Sequence, residues 1–158
     1  NAVAKALCYG RALAGRGEPD ALLFCDDSGL EVDALGGAPG VYSARFAGED
    51  ATDEANNALL VERMAEIEPE RRTARYVCVV ALARGERLLG TFRATAEGRI
   101  RLDPVGEGGF GYDPYFEFPP EGRTFAQLAP EAKWRHSHRG KAFRAMLERL
   151  WAPGGEPL

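Results

Sequence analysis

"RYVCVVALARGERLLGTFRAT", residues 75 to 95, decides the fold class. Every residue from Tyr76 to Ala83 is apolar. The run has neither the polar stripe of a surface helix nor the alternation of a half-solvated strand. It reads as a central strand buried on both faces, which requires covering elements above and below it. Arg84–Gly85–Glu86 then marks a turn, and the stretch ending at Thr95 pairs back as a hairpin. "EGRIRL" (97–102) reads as a further short strand.

The covering elements are legible on either side. Residues 1 to 16 form a helix with Ala2, Val3, Ala6, Leu7 and Leu13 on its apolar side, closed by Gly15 and Gly17. Leu22 to Cys25 is a short buried strand. Residues 53 to 66 form a second helix, with Thr52 as N-cap, Asp53 and Glu54 in the first turn, and Leu59, Leu60, Met64 and Ile67 facing inward. Phe143, Met146, Leu147, Leu150 and Trp151 recur at spacings of three and four, so a last helix runs from about Arg139 to Trp151. The tail "APGGEPL" reads as a frayed end. Helices and strands are intermixed, giving a single domain over 1–158 of α/β or α+β class.

Bulk composition narrows the function. The formal net charge is −4, with 20 Lys and Arg against 24 Asp and Glu, which argues against a nucleic-acid polymer as partner. No apolar run reaches the ~20 residues of a membrane span, and no secretory leader is visible. Cys8, Cys25 and Cys78 lie far apart in apolar stretches and read as buried thiols of a reducing, cytoplasmic protein rather than a disulfide framework.

Three stretches could carry chemistry. In "LFCDDSGLEV" (23–32), Asp26 and Asp27 follow the apolar run and fall just past the strand's end. There both could face one cleft and hold a hard cation, one of them acting as base toward a water. Asp, Ser and Gly are equally ordinary turn formers, and the Asp-x-Asp spacing of an aspartyl phosphatase is absent. The segment from 27 to 52 is long and rich in Gly and Pro, yet Val41, Tyr42 and Phe46 argue that it is ordered.

"GEGGFGYDPYFEFP" (106–119) is a Gly-rich loop entering an aromatic cluster, matching neither a Walker loop nor a dinucleotide fingerprint. Most of those rings read as core. Phe110, between two glycines, has no neighbouring side chain to shelter it. "KWRHSHRGKAF" (133–143) carries both histidines and places cations where the last helix starts, a position that favours an anionic ligand. A solvated basic turn is the plain alternative, and His136 with His138 lack the partners of a zinc site.

Taken together, "DDSGLEVDALGGAPGVYSARFAG", "GEGGFGYDPYF" and "SHRGKA" resemble the inosine triphosphate pyrophosphatase family, over nearly the whole chain from Asn1 to Trp151. That family hydrolyses non-standard purine nucleoside triphosphates (ITP, dITP, XTP) to the monophosphate and pyrophosphate. The resemblance implies a long, twisted, mixed β-sheet flanked by helices, in two lobes around a nucleotide cleft, and a homodimer. It implies that Asp27 is the Mg2+ ligand and general base, and that Asp26 supports the same site. Asn1 and Lys5 match the helix whose Lys reaches the triphosphate, and Ser28 would contact substrate. Phe110, Gly111, Tyr112 and Asp113 match the base-binding loop. Lys133, His138 and Arg139 match the remaining substrate contacts, with His138 and Arg139 donating to a 6-keto oxygen.

One departure stands out. Family members begin with a strand and a Thr/Ser-x-Asn-x-x-Lys phosphate loop, followed by a glutamate metal ligand, and neither occurs here. The expectation is a preceding segment that completes the phosphate cradle. A catalytically impaired purine nucleotide-binding protein is the alternative, and a metal-dependent phosphatase a weaker third reading.

Overall fold

A computed structural model describes residues 1–151; the expected frayed tail lies outside the described residues. The class is mixed α/β. Six strands form one sheet in the order β2-β1-β3-β4-β5-β6, accompanied by four α-helices. Strands β1 (Leu22–Val32), β3 (Thr73–Arg84) and β4 (Arg87–Ile100) are long; β2 (Pro39–Gly40), β5 (Phe116–Phe118) and β6 (Arg123–Thr124) are short. The pairings β1–β2, β4–β5 and β5–β6 are antiparallel.

The chain divides into two compact units. The first comprises Asn1–Ser28, Cys78–Ala94 and the segment from His138 onward. Helix α1 (Ala2–Ala14) and helix α4 (His138–Leu150) belong to it. The apolar run of β3 is buried at Tyr76, at Cys78 and from Val80 to Ala83, with Cys78, Val80 and Ala81 at 0% exposure, while Val77 and Val79 are half-buried. Strand alternation distributes its side chains. Val79, Ala81 and Ala83 pack with Ala2 and Ala6 of α1, while Cys78, Val80 and Leu82 pack with Ala142 and Met146 of α4. Both faces of the run are covered, fully from Val80 to Ala83 and in part at Val77 and Val79, and the hairpin turn falls at Gly85–Glu86.

The second unit comprises Gly29–Val77 and Thr95–Ser137. Its core gathers Leu30, Val32, Leu60, Met64, Ile100, Tyr112, Phe116 and Phe125. Phe116 and Phe125 pack against Tyr76 with ring centroids 4.6 and 5.7 Å away. Helix α2 (Asp53–Met64) starts as expected, the Thr52 hydroxyl accepting the Ala55 amide at 3.2 Å. Its Asn56 accepts the Ala47 amide at 2.9 Å and donates to the Ala44 carbonyl at 3.2 Å, which ties down the long Gly- and Pro-rich segment.

Four local expectations are corrected. Strand β1 does not stop at Cys25 but continues through Asp26–Asp27–Ser28–Gly29 to Val32. Gly29 permits this, because a Cβ there would lie 2.2 Å from the Gly40 carbonyl oxygen. The stretches ending at Thr95 and starting at Glu97 are one strand, β4. A helix not anticipated, α3 (Pro130–His136), precedes α4. Cys8 is exposed, only Cys78 is fully buried, and all three thiols are free.

Candidate active site

Because β1 runs on as a strand, its consecutive aspartates point to opposite faces. Leu23 and Cys25 share a face with α1, so Asp27 does too. Lys5, one turn into α1, places its ammonium 2.7 Å from Asp27 Oδ1 and 3.4 Å from the Asp26 carbonyl oxygen. Phe24 packs edge-on against Phe143 of α4, and Asp26 follows it to that face, where its Oδ2 accepts Arg139 Nε at 2.9 Å. The two carboxylates are adjacent in sequence but not side by side in space. Each is met by a cation from the helix on its own face.

Electrostatics distinguish Asp27. Partial burial pushes its carboxyl up, but hydrogen bonds from Lys5 and the Asn1 side chain and the Lys5 charge outweigh that, leaving it below the usual carboxylate value. Lys5 is held correspondingly above its ordinary value, chiefly by its hydrogen bond to Asp27. Ser28, back on the α4 face, buries its hydroxyl against Cys78. Burial raises the Cys78 thiol, and the neighbouring Ser28 hydroxyl opposes this in part. His138, 6% exposed, and Arg139 begin α4. Asn1, Lys5, Asp26, Asp27, Ser28, His138 and Arg139 thus all lie in the first unit.

The remaining expected residues lie in the second unit, Phe110 to Asp113 in a tight loop and Lys133 on α3. Phe110 is 62% exposed, whereas Tyr112 and Asp113 are buried at 5% and 2%. Asp113 anchors the loop from beneath. Its Oδ2 accepts the Phe110 amide at 2.8 Å, its Oδ1 accepts the Tyr76 hydroxyl at 3.3 Å, and Lys133 of α3 ion-pairs with it. Burial, with Asp113 alongside, raises Tyr76 far above the ordinary phenol value, so that hydroxyl stays a donor. Lys133 also lies 4.8 Å from the Phe110 ring centroid. The Tyr112 hydroxyl donates to the Ser43 carbonyl at 2.7 Å. His136 sits 3.2 Å from Glu121 and against the Phe118 ring, a structural setting.

Two residues were not singled out for the site from the sequence. Asp53 Oδ2 accepts the Gly111 amide at 2.7 Å, and Asn57 Nδ2 donates to the Gly111 carbonyl at 3.0 Å. The available signal was a buried Asn four residues after an Asp on a helix whose neighbouring inward residues are apolar.

No group of three or more His, Cys, Asp or Glu side chains is arranged to hold a metal among the described residues. On the α1 face Asp27 is the sole carboxylate of the Asp26–Asp27 pair. That donor set suits a hard cation completed by phosphate oxygens and water, as magnesium commonly is, rather than an all-protein cage.

Comparison with known proteins adds to this geometry. The family model described as the Ham1 family matches residues 1–149. A curated dITP/XTP pyrophosphatase from Exiguobacterium sibiricum is 56% identical over 136 residues, covering 85% of this chain and 68% of that relative. One from Thermus thermophilus is 54% identical over 125 residues, covering 79% of this chain and 60% of that relative. The solved structure of the Staphylococcus aureus Ham1 protein matches with a TM-score of 0.82 at 40% identity, over 93% of this chain and 74% of that chain.

Proposed function

The chain belongs to the Ham1 family, and we propose that it hydrolyses non-standard purine nucleoside triphosphates (ITP, dITP, XTP) to the monophosphate and pyrophosphate, a hydrolase acting on acid anhydrides. The observation that carries this reading is identity above 50% to dITP/XTP pyrophosphatases along most of the chain. The geometry is of the right kind: an ionised carboxylate beside a lysine, and an exposed aromatic ring on a braced loop. Pyrophosphate release from ITP, dITP and XTP, set against ATP and GTP, tests it. Binding of ITP without turnover would favour the impaired binder instead, and release of inorganic phosphate a plain phosphatase.

In this reading Asp27 accepts a proton from the water that attacks the α-phosphorus, and the P–O bond to pyrophosphate breaks. Lys5 and Lys133 offset phosphate charge. Asp27 would hold Mg2+ together with phosphate oxygens, and the bound cation supplies charge neutralisation. Phe110 stacks on the purine, and His138 and Arg139 donate to a 6-keto oxygen. Adenine offers an amino donor there, leaving those donors unpaired, so ATP is rejected.

Two expectations follow. Phe110→Ala should raise KM for ITP by roughly 10-fold or more, since base stacking contributes ~1–3 kcal/mol. With the ring already exposed, the melting temperature should stay put; steady-state kinetics and a thermal melt check both. Lys5→Met removes the hydrogen bond and the charge by which Lys5 depresses Asp27, leaving Asn1 and the burial that raises it. The acid limb of kcat/KM, set by ionised Asp27, should therefore move to higher pH. A pH–rate profile with an unmoved acid limb would assign that limb to another group.

We further propose a homodimer in a reducing cytoplasm. Supporting this are the exposed Val41, Tyr42 and Trp134 side chains, the free thiols, and the lack of any described helix long and apolar enough to cross a membrane. Sedimentation velocity measures the first point directly.

A further inference from the structure

Gly111 links the exposed Phe110 to the buried Tyr112. Its φ of +58° puts it in the left-handed region, where glycine carries little penalty. Both of its backbone polar groups are taken by side chains of one helix. The amide donates to Asp53 Oδ2 at 2.7 Å, and the carbonyl accepts Asn57 Nδ2 at 3.0 Å. Asp53 and Asn57 are four residues apart on α2, one turn, so they present on one side of that helix. Two consecutive peptide planes are thereby held, the one between Phe110 and Gly111 and the one between Gly111 and Tyr112. Each is free to rotate in an unbraced glycine turn.

We propose that Asp53 and Asn57 are positioning residues that clamp Gly111 and so fix the Phe110 ring in the orientation that receives the purine. This rests on the functional reading above. The clamp touches neither substrate nor reacting atoms. Its effect reaches the base through Phe110, whose ring is 62% exposed. Asp113 braces the loop from beneath through the Phe110 amide, and the α2 pair braces it one residue later. The next residue is fixed as well, since the Tyr112 hydroxyl is bound to Ser43. An ordered ring spares the nucleotide the entropy of ordering it, so loss of the clamp falls on base affinity rather than on the chemical step.

The test uses Asp53→Ala and Asn57→Ala in the full protein, with Asp53→Asn as the conservative variant, because its amide oxygen can still accept the Gly111 N–H. Asp53 is exposed, so its replacement leaves the fold standing; Asn57 is buried, and its variant is judged alongside a thermal melt. For Asp53→Ala, KM for ITP and the dissociation constant of IMP, measured by calorimetry, should each rise by about tenfold, the order of one hydrogen bond to a charged acceptor. The dissociation constant of tripolyphosphate, which has no base, should not change, and Asp53→Asn should recover most of the IMP affinity. Unchanged IMP affinity in Asp53→Ala overturns the clamp. So does equal weakening of IMP and tripolyphosphate, the mark of a general structural defect. Failure of the functional reading appears separately, as no pyrophosphate release by the unsubstituted protein. The clamp is then judged on IMP affinity alone, and an unsubstituted protein that binds no IMP overturns it.

Discussion

Asp27→Asn should lower pyrophosphate release from ITP by a factor on the order of 10^3, the middle of the range contributed by a positioned general base. The substitution preserves shape and leaves an oxygen that can still accept from Lys5, so folding should be little altered. What it removes is the negative charge. Asp27 is a quarter exposed in its side chain and ionised at neutral pH, because Lys5 and Asn1 overcome the cost of its burial. A low pKa alone makes a poor base. Lys5, however, is hydrogen-bonded directly to Asp27, and the same lysine is expected to meet phosphate. Once Lys5 turns to a phosphate, the charge that depresses Asp27 is shared and its basicity recovers in the bound state.

Asp26→Asn gives the contrast. Its carboxylate lies on the other face of β1, held by Arg139 at 2.9 Å. Its loss should act through the orientation of Arg139, appearing in selectivity between ITP and ATP more than in kcat. Equal losses of kcat in the two variants would place both carboxylates in the chemistry. An unchanged rate in Asp27→Asn would remove its assigned role. Single-turnover measurements, where product release does not mask the chemical step, decide between these.

The readability of the sequence follows the range of the forces involved. The apolar run of β3 was plain because burial on both faces leaves its mark on every residue, and that mark is local. The start of α2 was plain because capping is a contact across three residues. Phe110 could be singled out because glycines on both sides deny a ring its shelter. The continuation of β1 through Asp26–Asp27 was hidden for the opposite reason. Asp-Asp-Ser-Gly has turn propensity, and what overrides it comes from Lys5 and Arg139 on Asp26 and the Gly40 backbone beside Gly29, at separations of 21, 113 and 11 residues. Helix α3 has no apolar repeat to announce it. The Asp53 and Asn57 contacts reach 58 and 54 residues along the chain, and nothing in a local window points to Gly111 as their partner. The class of site was legible; the faces on which its charges stand were not.

Asp113→Ala should be the most destabilising single change in the base-binding loop. The carboxylate is 4% exposed in its side chain and serves three donors at once, the Phe110 amide, the Tyr76 hydroxyl and the Lys133 ammonium. Its removal takes an acceptor away from a mostly buried ammonium and a buried phenol. Breaking a buried pair by deleting one partner costs about 3–5 kcal/mol. Lys133 keeps some solvent contact, which puts the expectation near the lower figure. At this chain length each kcal/mol moves the melting temperature by about 2–4 °C, so a drop of roughly 10 °C is expected. Asp113→Asn, which still accepts but no longer ion-pairs, should fall between. The double variant Asp113→Ala with Lys133→Met should recover part of the loss, because the stranded charge goes with the carboxylate. KM for ITP should rise in all three, since Phe110 loses its support from beneath. A melting temperature within 2 °C of the parent for Asp113→Ala would mean that the loop stands without its buried anchor. In that case the brace from α2 would carry the ring alone.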